Sequence, residues 1–248
     1  MDFAIFFILG IVVAFINSIA GGASSLSLPI MIVLGLPPTV ANGTNRFGML
    51  AGIFSSVINM RRYGYLRMDI AKALLPPTLA GGAAGTLLAV FISDSHFQAL
   101  LAVVMVAVAI MSSMGTDPLG KGPEIPPAKP GSKAFLGFAA IGFYGGFFQV
   151  GMGFIQIFCL RKYSGLDLKQ VNGIKNFLSI WFLLMSSIVF FVAGKVILGL
   201  AVSMAFGGIL GGYLGSRFQH KYGQVWIKRV IRAASICLAA KLIYDLAS

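Results

Sequence analysis

Two cations stand about two turns inside apolar stretches of this chain, Arg46 and Lys175, and each shares a helical face with asparagines. On a helix of about 3.6 residues per turn, Asn42, Asn45 and Arg46 fall at i, i+3 and i+4, and Asn172, Lys175 and Asn176 do the same. Carboxamide N–H groups, a guanidinium fork and an ammonium are all donors, the chemistry that receives an oxyanion. The bland alternative is a cation near a helix end that snorkels to the interface. Its occurrence twice, on matching triplets, favours an anion site with near two-fold symmetry.

A second source of donors lies in two glycine-rich breaks. Phe3 to Leu36 is too long for one span and is interrupted by Gly21-Gly22-Ala23-Ser24-Ser25, with Pro29 close behind. Ala134 to Leu160 carries Gly145-Gly146 and Gly151-Met152-Gly153, flanked by Gln149 and Gln156. A helix that restarts after such a break presents unpaired N–H groups and a positive dipole end, where anions bind. Ser24, Ser25 and Ser27 add hydroxyls on one side, and Gln149 and Gln156 add amides on the other. The expected substrate-binding set is therefore Arg46, Asn42, Asn45, Lys175, Asn172, Asn176, Gly21, Gly22, Ser24, Ser25, Gln149, Gly151 and Gly153.

No enzymatic or metal chemistry accompanies these residues. All seven acids, Asp2, Asp69, Asp94, Asp117, Glu124, Asp167 and Asp245, lie in loops or near segment ends. That argues against a metal-cation transporter and against a carboxylate proton relay. His96 and His220 are too far apart in sequence to suggest a zinc site or a catalytic dyad. Cys159 and Cys237 have no CxxC spacing, so neither a disulfide staple nor a metal site is expected. We expect no catalytic residue, no metal and no cofactor.

The elements that must position these donors are membrane helices. Of 248 residues, 58% are apolar and 10% charged, and the mean hydropathy is +0.90, which excludes a water-soluble fold. Apolar segments run from Phe3 to Leu36, Thr39 to Met60, Ile70 to Ile92, Phe97 to Met114, Ala134 to Leu160, Val171 to Ala193, Val196 to Ser216 and Val230 to Leu246. Between the fourth and fifth lies a proline-rich linker, 115–133, that cannot be helical. An offset of 130 residues brings Gly35-Leu36 onto Gly165-Leu166, Asn42-Gly43 onto Asn172-Gly173, Gly64 onto Gly194, and Gly81-Gly82 and Gly85 onto Gly211-Gly212 and Gly215. The expected architecture is an all-α polytopic membrane protein of two homologous four-segment halves, 1–114 and 134–248. For these glycines in the third and seventh segments, close helix packing is the better reading.

Loop charge sets the orientation. The formal charge of +12 would invite a nucleic-acid reading in a soluble protein. Here most cations cluster at segment ends, where they mark cytoplasmic loops and meet anionic lipid. Arg61, Arg62, Arg67 and Lys72 put the loop after the second segment inside, and Lys121, Lys129 and Lys133 put the linker inside. In the second half the cations gather around Arg161-Lys162 and Lys169 and from Arg217 to Arg229, while the counterpart of the first basic loop holds only Lys195. Such a pattern is inverted between halves, and it follows if each half opens with a glycine-broken re-entrant hairpin. Eight simple spans in parallel repeats are the alternative, and they leave the Arg217 to Arg229 region outside. Met1-Asp2-Phe3 lacks the basic start of a secretory signal, so the first segment is expected to stay in the mature protein.

The glycine-rich break running into Ser27-Leu28-Pro29, followed by a short loop and Ala41-Asn42-Gly43-Thr44-Asn45-Arg46, resembles the sulfite exporter TauE/SafE permeases. The likeness covers nearly the whole chain, including the two four-segment halves, the basic Arg61-Arg62 loop and the glycine-rich third and seventh segments. It implies transport of sulfite, organosulfonates or related small anions across a bacterial-type inner membrane. The functional expectation is a permease that alternates access around a midplane cationic site. A passive anion channel, or a non-transporting membrane subunit or assembly factor, are the alternatives. Expected partners are a small-molecule anion and membrane lipid and no nucleic acid, with a homo-oligomer left open.

Overall fold

Pro38 opens one 25-residue helix and Leu168 another, and their starts lie 130 residues apart. In the structure, a computed structural model, the backbone is described for residues 2–19, 22–113 and 131–247, and the side chains for 2–19, 22–104 and 131–222. Among these residues the chain is all-helical and contains no strand. The helices are α1 Phe3–Ile19, α2 Ser24–Val33, α3 Pro38–Arg62, α4 Met68–Phe91, α5 Asp94–Ser113, α6 Ser132–Phe147, α7 Met152–Ser164, α8 Leu168–Val192 and α9 Leu198–Ala247. Gly21 and residues 114–130, most of the expected linker, lie outside the described residues, while Ser132 and Lys133 already belong to α6.

Local chemistry sets these boundaries. Pro38 occupies the first helical position of α3, where its missing N–H costs nothing. The Asp167 carboxylate caps α8, accepting from Lys169 N at 2.7 Å and Gln170 N at 2.9 Å. At the far ends of α3 and α8, Gly64 (φ 71°) and Gly194 (φ 69°) turn the chain in the left-handed region. The following amides, Tyr65 N and Lys195 N, bond back to Met60 O and Phe190 O. Both long segments expected to be interrupted are interrupted: α1 stops at Ile19 before α2 begins at Ser24, and α6 stops at Phe147 before α7 begins at Met152.

One boundary differs from expectation. Val196 to Ser216 and Val230 to Leu246 are not separate helices, because α9 continues through Arg217 to Arg229. The intervening Arg, Gln, His, Lys and Tyr residues tolerate a helix, and the stretch contains no proline. Polarity there does not break the backbone helix.

Helices α3 and α8 occupy the middle. Each packs on the other, α3 also on α9 and α8 also on α4, while α1 lies against α9 and α6 against α4. These contacts exchange counterparts: α1 with α9 mirrors α6 with α4. Glycines let the backbones touch. A Cβ on Gly81 would meet Ala139 O at 1.9 Å, and one on Gly142 would meet Thr78 O at 2.2 Å, so α4 and α6 approach through small residues spaced four apart. Across the α1–α9 contact, Cβ atoms on Gly207 and Gly211 would meet Phe7 O at 1.9 Å and Ile11 O at 2.1 Å.

Beside an apolar core, the bundle buries polar side chains and exposes large apolar ones. Asn42, Asn45, Arg46, Gln156, Asn172, Lys175 and Asn176 are buried, while Val33, Phe91, Leu136 and Val192 stand exposed. Met68–Phe91, Leu168–Val192 and Leu198–Tyr222 are each long and apolar enough to cross a membrane. An apolar exterior, with these polar side chains drawn inside beside an apolar core, is the arrangement a bilayer selects.

Candidate functional site

The final carbonyls of α1 and α6 have no following turn to receive, so they need donors from elsewhere. The two polar triplets supply them. Asn172 Nδ2 donates to Ile19 O at 2.7 Å, and Lys175 Nζ donates to Asn17 O at 2.6 Å. Symmetrically, Asn42 Nδ2 donates to Phe147 O at 3.0 Å, and Arg46 Nη2 donates to Gly146 O at 2.9 Å and Phe147 O at 3.3 Å. Each cation therefore sits at the negative end of a helix dipole.

Arg46 is held on every side. Its Nε donates to Asn42 Oδ1 at 3.1 Å and its Nη1 to Ser186 Oγ at 2.7 Å. Its guanidinium also lies 5.0 Å from the Phe190 ring centre and 5.7 Å from that of Phe182. Asn176, the counterpart of Arg46, donates to Ser56 Oγ at 3.1 Å, and Ser56 is the counterpart of Ser186. Lys175 has fewer contacts, with Asn17 O as its hydrogen-bond partner. Among the described residues the one salt bridge is Arg67–Asp69, remote from both cations.

The two breaks meet each other. Ser24 Oγ donates to Gln149 O at 2.9 Å, joining the first break to the second, while Ser25 Oγ turns back to Gly22 O at 2.6 Å. Ser27 Oγ donates to Asn45 Oδ1 at 2.7 Å. Gln149 itself has φ 63°, the left-handed region that a residue with a side chain enters at a cost of about 1–2 kcal/mol.

Between the breaks lies a cavity of about 20 Å³. Five residues of the expected set line it: Gly22, Ser24, Gln149, Gly153 and Lys175. Asn42, Asn45, Arg46, Asn172, Asn176, Ser25 and Gly151 do not; the Asn and Arg side chains stand behind it as caps and braces, and Gly151 precedes α7 in the left-handed conformation. The lining also includes Asn17, Gln156 and Ser179, outside the expected set, and apolar side chains such as Met49, Ile53 and Phe182. Ser179 stands one turn beyond Lys175 on the same face, and Asn17 is a lone amide in an apolar helix, so both left a signal in the sequence. Several lining amide atoms have no partner: both polar atoms of Gln156 and Oε1 of Gln149.

The sequence model of the family described as "Sulfite exporter TauE/SafE" matches residues 6–242. The chain belongs to this family. Three relatives are each described as a probable membrane transporter protein. A "probable membrane transporter protein ORF9" from Sinorhizobium sp. is 27% identical over 242 residues, covering 98% of this chain and 92% of the relative. A "probable membrane transporter protein" from Haemophilus influenzae is 27% identical over 242 residues, covering 98% and 94%. A "probable membrane transporter protein YfcA" from Escherichia coli K12 is 25% identical over 245 residues, covering 97% and 89%. No solved structure matches the chain. As a TauE/SafE member, the chain falls among membrane transporters.

Proposed function

We propose that this protein transports small sulfur-containing anions such as sulfite or organosulfonates, binding them at the cavity that Lys175 lines. The observation that carries the reading is a pair of fully buried cations, Arg46 and Lys175, with helix-end carbonyls as partners and no carboxylate beside them among the described residues. Dipole ends offset a buried charge only in part. An anion entering beside Lys175 completes the neutralisation, and Ser24, Ser179 and the start of α7 add donors around it. A single water needs roughly 10–15 Å³ of such space, so a cavity of about 20 Å³ is closed to a sulfonate. Binding thus requires the two breaks to part.

That requirement fits alternating access, in which two halves, 1–114 and 134–248, form inverted repeats that rock about the site. Each half opens with a re-entrant hairpin, α1–α2 or α6–α7, and the exchange of counterpart contacts supports a two-fold relation between them. The proposed setting is the bacterial-type inner membrane, with multiple crossings.

The test is thermal unfolding of the purified protein against sulfite, sulfate, thiosulfate, ethanesulfonate and small carboxylates, because a ligand of the folded state raises its apparent stability. We expect a sulfur anion to shift the transition upward and Lys175→Gln to abolish that shift while the variant remains folded. A folded wild-type protein that responds to no anion would overturn the reading. Flux that saturates with substrate in proteoliposomes separates a transporter from a passive channel.

A further inference from the structure

We infer that the basic end of the bundle holds a site for one anionic phospholipid, its phosphate seated between Arg217 and Lys221 and its acyl chain lying along α9. The inference goes beyond the transport reading and does not depend on the cavity between the breaks. An open pocket of about 840 Å³ lies at this end, within the range of roughly 300–1,000 Å³ common to small-molecule sites. Phe15, Leu214 and Phe218 give it apolar lining, and Arg217 and Lys221 give it two cations. On α9, Leu210, Leu214, Arg217 and Lys221 fall at i, i+4, i+7 and i+11, on one face of the helix. All four are exposed. The face therefore passes from apolar to cationic as the span Leu198–Tyr222 ends, the order in which a lipid presents its chain and then its phosphate.

One wall of the pocket is fixed by contacts between distant parts of the chain. The His220 ring stacks on that of Tyr63, with centres 3.9 Å apart and planes 8° from parallel, and both line the pocket. His220 Nδ1 pairs with Tyr65 Oη at 2.8 Å, and Lys169 Nζ donates to Tyr65 Oη at 3.2 Å and to His220 O at 3.3 Å. A wall held in this way binds without the cost of ordering it. The same contacts bring the basic connection after α3 against the basic stretch of α9, and the positive-inside rule assigns such an end to the cytoplasmic leaflet, where anionic lipid resides. The carboxylates nearby in sequence are engaged elsewhere: Asp69 pairs with Arg67, and Asp167 caps α8. Among the described residues, Arg217 and Lys221 have no carboxylate partner. Arg217 Nη1 donates to Tyr213 Oη at 2.9 Å, and Lys221 Nζ lies 5.2 Å from the Tyr222 ring centre. A zwitterionic headgroup would bring its own ammonium beside these two cations, so the charge of the pocket favours a lipid with net negative charge.

The experiment titrates the full-length protein, purified in detergent, with phosphatidylglycerol, with phosphatidylcholine of the same acyl chains and with free glycerol 1-phosphate. Native mass spectrometry counts the bound molecules, and the melting temperature reports folding. We expect one phosphatidylglycerol to bind about tenfold or more tightly than phosphatidylcholine, and Arg217→Gln combined with Lys221→Gln to bring that ratio near one. Arg61→Gln combined with Arg62→Gln removes the same charge from the same end, outside the pocket lining, and should keep the ratio. If the paired variant at 217 and 221 does not fold, Lys221→Gln alone should lower the ratio about threefold or more. Equal wild-type affinity for the two lipids overturns the site. A ratio lost equally in both paired variants traces the preference to diffuse surface charge and overturns it as well. Glycerol 1-phosphate binding as tightly as phosphatidylglycerol makes the occupant a free phosphate and overturns the assignment to lipid.

Discussion

Arg46 and Lys175 stand one position apart in the 130-residue correspondence, yet they do different work. Arg46 spends four hydrogen bonds within the protein and is absent from the cavity lining, whereas Lys175 caps one carbonyl and lines it. Arg46→Lys keeps the charge but loses the planar fork that reaches Asn42, Ser186 and the end of α6 together. We expect a loss of about 1–3 kcal/mol in stability, seen as a lower melting temperature, with anion affinity little changed. Lys175→Arg should do the reverse, remaining folded while its bulk weakens anion binding measured by calorimetry. Asn42, Arg46, Asn172 and Lys175 were legible in the sequence because their spacing puts them on one face of a helix. Their targets were not, because Ile19 O and Phe147 O become orphans only where helices stop, and spacing within α3 or α8 says nothing of which distant helix end will be opposite.

Among the helices, glycine serves two distinct ends, and substitution separates them. At Gly81 an added side chain runs into the backbone of α6, so Gly81→Val should force α4 and α6 apart at a cost of about 1–3 kcal/mol or more. At Gly194 nothing lies within 4 Å of an added Cβ, and only the left-handed φ of 69° resists. Gly194→Ala should therefore cost about 1–2 kcal/mol and leave helix contacts intact. Thermal unfolding of both variants, with disulfide trapping across α4 and α6 to report separation, checks the contrast. The breaks at Gly22 and Gly151 were readable because glycine clusters interrupt otherwise apolar runs. The continuity of α9 was not, because hydropathy falls from Arg217 to Arg229 as it does in a loop, while backbone hydrogen bonding is indifferent to that fall.

For the molecule as a whole, inverted repeats make a claim about sidedness. Arg62 and Val192 end α3 and α8 and are counterparts 130 residues apart. In a chain with Cys159 and Cys237 replaced by alanine, we expect cysteines introduced at Arg62 and at Ala193 to react with a membrane-impermeant thiol reagent from opposite faces. Labelling of both from one face would establish parallel repeats instead.

The exchange of caps also bears on how the chain is made. When α6 emerges from the ribosome, Asn42 and Arg46 have already been synthesised, so its C-terminal carbonyls find their donors at hand. The end of α1 has no such provision. Ile19 O waits for Asn172, 153 residues downstream, which at ordinary elongation rates of about 5–20 residues per second is a delay of roughly 8–30 s. During that interval the Ile19 carbonyl lacks its partner, and a chain truncated before α8 is expected to leave the end of α1 without this cap.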